Sequence, residues 1–466
     1  MVFSSLTFLF YFLPIVLLIY YVVPFRFKNG VLLAASLFFY GWGEPKYLLV
    51  MAVAITSGYF FGLLIGRFRT HRCGRYLLAL SVACFLFLLG FFKYTDFLIR
   101  NLNQLTGWSL PLLHIALPVG ISFYTFQLLS YTIDVYRGDT KAQSDFLSFA
   151  AYAAMFPQLI AGPIIRYTDV SGQLKKRTHS LERTSLGCRR FVLGLAKKVL
   201  LADVLGEFCQ IHLASHDLSV LFYWLYAAAN MLQIYFDFSG YSDMAIGLGL
   251  LFGFDFPENF RYPFCAKSIT DFWRRWHITL GKWFRDYVYI PMGGNRVSKM
   301  AWLRNLLVVW FLTGLWHGAS WNFVLWGCLF GLILPLEKCF LRKFLDHCRI
   351  LNHVYVLLIV SLSFVLFQSA DLSEAYTHFR CMFGAGKLPM VSAEFWYYLR
   401  NYAMLLILAV IGATPLPSRL MHQIRCTKKG EAILNLAEPV VLLLLFLLAT
   451  AYLVDGTFHP FLYFRF

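Results

Sequence analysis

The sequence predicts an all-α integral membrane protein, a polytopic helical bundle of about eleven spans with two or three re-entrant or interfacial helices, in a single domain of residues 1–466. Three observations carry that prediction. Hydrophobic residues make up 59% of the 466 and charged residues only 14%, where a soluble domain has about a quarter charged. The 48 Phe and 27 Tyr present an apolar surface that a bilayer covers and water rejects. Apolar stretches also recur along the whole chain, long enough or nearly long enough to cross a membrane.

Those stretches fall at about 6–25, 30–43, 47–66, 76–92, 112–134, 146–165, 190–213, 219–236 and 240–256, then at 303–317, 319–336, 353–369, 400–414 and 436–454. A straight span takes roughly 20 apolar residues, so the shorter ones are expected to tilt or re-enter. The N-terminal MVFSSLTFLFYFLPIVLLIYYVVPF has no basic n-region and no small-residue cleavage site, and reads as a retained first span.

The net charge of +17 does not point to nucleic acid, because the basic residues sit in short groups between apolar runs. That is the positive-inside pattern. Arg26 and Lys28 follow the first span, Arg67, Arg69, Arg72 and Arg75 the third, and Arg419, Arg425, Lys428 and Lys429 precede the last. The basic stretch from Lys175 through Arg183 and Arg190 to Lys198 is read as cytoplasmic too, which puts both termini outside the cytoplasm. The ten Cys form no CxxC pair, so neither a disulfide framework nor a metal site is expected.

The longest informative polar stretch is RYPFCAKSITDFWRRWHITLGKWFRDYVYIPMGGNR, residues 261–296. On one continuous helical wheel over 268–288, Trp273, Trp276, Leu280, Phe284 and Tyr287 fall within about 80° of one another. Asp271, Arg274, Arg275, Lys282, Arg285 and Asp286 occupy the other side, which suits a cytoplasmic interfacial helix. His277 lies on the edge of the aromatic face, about 20° from Phe284. It is read either as a core histidine bonded to a carbonyl or as an imidazole turned into a buried chamber. The basic face suits lipid headgroups, or the phosphates of a donor held by Arg forks.

Residues 305–334, NLLVVWFLTGLWHGASWNFVLWGCLFGLIL, contain one ionisable side chain besides the Cys328 thiol, and it is His317. An ionisable group at membrane depth is costly unless paired or used. Gly314 and Gly318 on either side allow close backbone approach and a break in the helix. Neutral imidazole suits the general base that takes a hydroxyl proton in acyl transfer. No GxSxG elbow or Ser-His-Asp order accompanies it. In YFDFSGYSDMAIGLG, residues 235–249, Asp237, Ser239 and Asp243 sit among small and apolar residues. They serve either interhelical hydrogen bonding or the lining of a reaction chamber.

Together, IDVYRGD at 133–139, FPQLIAGPIIRY at 156–167, YFDFSGYSDMAIGLG, SITDFWRRWHITLGKWFRDYVYI and GLWHG resemble the membrane-bound O-acyltransferase family. The resemblance is to its branch of alginate O-acetyltransferase membrane subunits and covers nearly the whole chain, including the MVFSS start and the FxPFxYFRF end. It implies a bundle around a central tunnel, with His317 as the active-site histidine and His277 as the second motif histidine. Trp273, Arg274, Arg275, Trp276, Asp237, Ser239 and Asp243 are then candidates for substrate binding.

The implied reaction takes an acyl group, commonly acetyl, from acetyl-CoA or an acyl-carrier protein on the cytoplasmic side of a bacterial inner membrane. The group goes to O-acetylation of alginate or another exopolysaccharide outside, with no bound cofactor. A separate extracytoplasmic acetyltransferase of the SGNH type is the implied partner, beside membrane lipids. Acetylation of peptidoglycan or another wall polymer is the alternative within this class. A polysaccharide-system transporter without acyl chemistry is the alternative outside it, and the chain lacks the paired repeats usual in transporters.

Overall fold

The computed structural model describes residues 1–160, 162–341 and 349–456. Every regular element among them is helical. Among the described residues six helices are long and apolar enough to cross a membrane: Pro45–Phe68, Arg72–Thr106, Trp321–Leu341, Ile350–Gln368, Ala393–Gly412 and Lys428–Asp455. The first apolar helix covers only Phe8–Val22, short of the roughly 20 residues a straight span takes, because the chain turns extended at Val23 and Pro24. The tail motif ending at Phe466 lies outside the described residues.

The chain clusters into two compact units. One comprises Met1–Phe191 and Tyr241–Glu258; the other comprises Val192–Gly240 and the described residues that follow from Asn259.

In the first unit α1 (Leu13–Val22), α2 (Phe25–Gly43), α3 (Leu48–Phe68), α4 (Arg72–Thr106) and α5 (Ile121–Arg137) are joined by the short α6 (Phe146–Ala154), α7 (Phe156–Leu159) and α8 (Tyr167–Lys175). The apolar stretch at 146–165 is therefore no single span: it breaks at Met155, whose ψ is 113°. Glycines let α3 approach α5, since a Cβ on Gly62 would run into the Tyr131 ring and one on Gly58 would lie 2.7 Å from Leu128. Aromatic rings fill the space around Phe3, which stacks on Tyr241 at 4.7 Å between centroids, while Phe12 meets Phe156 edge-on at 5.3 Å.

Two long helices run through both parts of the sequence. α9 (Leu181–Ala196) continues through a wide π turn, Lys197–Asp203, into α10 (Val204–Ala214). α11 spans Val220–Leu251 without interruption. The separate stretches expected at 219–236 and 240–256 are thus one helix, because its polar residues are neutralised where they stand. In the first unit Arg190 binds Asp243 at 2.8 Å and Glu258 at 2.5 Å. In the second the buried Lys198 binds Asp203 at 2.6 Å and Asp237 at 2.5 Å. Gly187 lies against Gly247 in the first, and Gly194 against Gly240 in the second.

The second unit also holds α12 (Ile269–Arg275), α13 (Ile278–Phe284), α14 (Lys299–His317), α15 (Trp321–Leu336), α16 (Arg349–Gln368) and α17 (Leu372–Met382). α14 and α15 form a hairpin closed by glycines. A Cβ on Gly314 would run into the Phe323 carbonyl oxygen, and one on Gly327 into the Trp310 carbonyl oxygen. Small residues that let backbones touch are the means by which helices associate in lipid, where no hydrophobic force drives them together.

This seam has a direct test. Gly327→Ala is expected to cost about 1–3 kcal/mol through overpacking against backbone, seen as a lower unfolding temperature in detergent. Gly281→Ala, at a helical position where an added Cβ meets nothing within 4 Å, is expected to be neutral or stabilising by up to about 1 kcal/mol.

Candidate active site

The segment around His277 is not one amphipathic helix. It breaks in the middle, with α12 ending at Arg275, Trp276 extended (φ −105°, ψ 129°) and His277 left-handed (φ 45°, ψ 52°) before α13 begins. A left-handed non-glycine residue costs roughly 1–2 kcal/mol and persists only where its surroundings over-determine it.

Those surroundings are visible. The Ile278 amide donates to the Asn259 carbonyl at 3.0 Å, and the Thr279 amide and hydroxyl both donate to the Asn259 side-chain oxygen, at 3.2 and 2.9 Å. On the other side of the break the Arg261 amide donates to the Arg275 carbonyl at 2.9 Å. The start of α12 is held by the buried carboxylate of Glu337, which accepts from the Ile269 amide at 2.6 Å and from the Thr270 amide and hydroxyl at 3.0 and 2.6 Å. A carboxylate at a helix N-terminus satisfies donors the helix cannot and meets the positive end of its dipole.

The facial pattern survives the break. Trp276, Leu280, Phe284 and Tyr287 are buried and Trp273 half-buried, while Arg274, Lys282 and Arg285 are exposed. Arg275 is tied to Asp271 at 3.0 Å.

His277 is buried among Phe260, 6.2 Å away between ring centroids, and Trp316, at 5.8 Å. Its Nδ1 is buried without a partner elsewhere among the described residues. His277 lies outside the six spans, and burial pushes its imidazole down to about 3. It is therefore neutral throughout the physiological range.

His317 is the last residue of α14, which stops at the extended Gly318 (φ −169°). The helix ends at the one basic group of the apolar run, and Gly318 has no Cβ to collide with the Phe323 ring. The His317 imidazole, 7% exposed, meets Trp326 and Phe367 edge-on at 5.0 and 5.1 Å and Trp316 at 4.9 Å. Trp316 is thus in ring contact with both histidines. Around them Trp273 meets Trp310 at 4.7 Å and Phe330 at 4.8 Å, and Trp276 meets Phe260 and Phe364 at 5.1 Å each. The result is an apolar, aromatic-walled site holding two imidazoles.

The remaining sequence candidates stand elsewhere in their contacts. Asp237 is in the ion pair with Lys198, and Asp243 in the one with Arg190. Ser239 is buried, and its hydroxyl has no hydrogen-bond partner among the described residues. Asn259, Trp316, Glu337 and Phe367 were not anticipated. Glu337 left a signal, since it is the first carboxylate after the long apolar run. Asn259 left none, because its role depends on which turn it faces.

Two outcomes follow for this site. Asn259→Ala, which leaves the Thr279 donors unsatisfied, is expected to lower stability by about 1–3 kcal/mol and to reduce turnover with it, both measured on the detergent-purified protein. A histidine held below its unfolded value of 6.5 gives stability that is present above that pH and drains as pH falls below it. The unfolding temperature of the wild type is therefore expected to fall on acidification from 6.5, and that of His277→Gln to fall less over the same interval.

The chain has relatives among known proteins. The model of the membrane-bound O-acyltransferase family matches residues 140–369, which include both histidines. The chain is 40% identical over 500 residues to a probable alginate O-acetylase AlgI of Azotobacter vinelandii, covering all of both chains. It is 45% identical over 395 residues to the corresponding protein of Pseudomonas aeruginosa, covering 83% of this chain and 75% of that one. It is also 36% identical over 421 residues to a peptidoglycan O-acetyltransferase of Helicobacter pylori, covering 82% and 80%. With relatives matched along its whole length, this multi-pass membrane protein belongs to the membrane-bound O-acyltransferase family and is an O-acyltransferase.

Proposed function

We propose that His317 is the general base of an acetyl transfer from acetyl-CoA that serves O-acetylation of an extracytoplasmic polysaccharide, alginate or a related exopolysaccharide. The observation that carries this is the seating of His317 at the end of α14, walled by Trp316, Trp326 and Phe367, with Trp316 also touching His277. The two AlgI-named relatives, at 40% and 45% identity, support the acceptor.

In this reading neutral His317 takes the proton of the acceptor hydroxyl as its oxygen bonds to the thioester carbonyl carbon. The C–S bond then breaks, and the departing thiolate takes the proton from the imidazolium. Aromatic walls keep water from competing for the acyl group. His277 holds a neutral imidazole where it can orient the thioester carbonyl or the acceptor. Arg274, exposed at the end of α12, and Arg275 dock donor phosphates as charged forks. Trp273 and Trp276 pack against the acyl and pantetheine chain.

The protein works in the bacterial inner membrane with both termini outside the cytoplasm, and a separate SGNH-type acetyltransferase receives the group there. The Helicobacter relative favours a second reading in which the acceptor is peptidoglycan.

The test is cleavage of labelled acetyl-CoA by purified wild type, His317→Ala and His277→Ala, with alginate or peptidoglycan and a candidate partner supplied. His317→Ala is expected to lose about 100- to 10,000-fold in turnover with little change in unfolding temperature. Equal turnover by His317→Ala and wild type would end the catalytic role. The polymer that becomes labelled decides between the two acceptors.

A further inference from the structure

In the first unit two basic side chains are buried around one tyrosine ring. Lys28, at the start of α2, is 8% exposed, and Arg177, in the turn after α8, is 7% exposed. The Lys28 ammonium lies 4.5 Å from the centroid of Tyr20 and 5.5 Å from that of Tyr21. The Arg177 guanidinium lies 4.5 Å from the ring of Phe254, 5.3 Å from Phe25 and 5.8 Å from Tyr20. The half-buried His179 completes the group, its ring 5.5 Å from both tyrosine rings.

Among the described residues neither cation forms an ion pair, and all three Arg177 side-chain nitrogens are buried without a hydrogen-bond partner. The Tyr20 hydroxyl is near the guanidinium but donates its proton to the Phe252 carbonyl at 2.6 Å. Asp255, two residues past Gly253, is already held by Arg183 at 2.7 Å and Gln173 at 3.0 Å.

The magnitudes do not balance as they stand. A cation over an aromatic face recovers only a fraction of what burying an ion costs when no opposite charge faces it. Like charges around one ring add repulsion. Burial lowers the affinity of Arg177 for its proton, and burial together with Lys28, Arg177 and Arg183 does the same for His179. The backbone nevertheless makes room for the cluster. Gly253, at φ 83°, lies where a Cβ would come within 2.8 Å of His179 and 3.1 Å of Arg177. Exposed Tyr21, Val22 and Phe25 border it, so it opens beside an apolar surface.

We propose that Lys28, Arg177 and His179 form a binding site for a phosphate group, whose oxygens take the Arg177 fork and the Lys28 ammonium. The phosphate belongs either to an anionic phospholipid headgroup or to a soluble phosphate-bearing molecule. The site stands independently of the acyl-transfer reading.

The delipidated full-length protein in detergent is melted with phosphatidylglycerol, with dioleoylglycerol, which lacks the phosphate, with inorganic phosphate and with adenosine 3′,5′-bisphosphate. At least one phosphate-bearing probe is expected to raise the unfolding temperature of the wild type by several degrees while dioleoylglycerol does not. Lys28→Gln and Arg177→Gln are expected to lose that shift, and without ligand to melt no lower than wild type. A shift with phosphatidylglycerol alone assigns the site to lipid; a shift with the soluble probes assigns it to a dissolved phosphate compound. The site is refuted if no phosphate-bearing probe shifts the wild type beyond dioleoylglycerol, or if the glutamine variants shift as much as the wild type. The wild-type comparison needs no variant to fold, and Arg177→Lys, which keeps charge without the fork, is expected to retain a smaller shift.

Discussion

The backbone contact between α14 and α15 is the constraint on which the candidate site depends. Gly314 and Gly327 let the Phe323 and Trp310 carbonyls come where any side chain would stop them. Across that seam Trp326 of α15 meets the His317 ring, and on α14 Trp310 meets Trp273. The seam also fixes where α14 ends. Gly318 accommodates the Phe323 ring in an extended conformation, and the imidazole is left at the helix terminus among aromatic walls instead of being spent in a helical face. In lipid the packing of small residues takes the place of the hydrophobic force that would close such a hairpin in water.

The second histidine is placed by a different device. His277 is carried on a break, and the break is enforced by hydrogen bonds from residues distant in sequence: Asn259 beyond one end and Glu337 at the start of α12. A left-handed histidine is strained, and satisfied donors on both sides of it offset that strain. The same economy governs the charges of α11. Asp237 and Asp243 do not interrupt a 32-residue helix because Lys198 and Arg190 neutralise them. The cluster of Lys28 and Arg177 stands apart, because among the described residues it is aromatic faces, not carboxylates, that meet those two charges.

Much of this was legible in the sequence. Composition alone excluded a soluble protein, and a single histidine within thirty apolar residues marked His317 before any helix was placed. The aromatic and basic faces of 268–288 were also correctly separated, because burial acts on side chains whether or not the helix is continuous. The break at His277 was not legible. Nothing in the local text WRRWHIT departs from helical periodicity, and no glycine or proline marks the turn. Its causes are Asn259 and Glu337, one before the segment and one well beyond it.

The division has a physical basis. The sequence by itself determined what depends on summed local properties, membrane residence and helical class, both set by the transfer cost of side chains. Only the tertiary structure decided what depends on which backbone groups meet. It joined two expected spans into α11, split one expected helix at His277, and brought Trp316 into contact with both histidines. Hydrogen bonds and close backbone contacts are short-ranged in space and unrestricted in sequence, so their partners emerge only when the chain has folded.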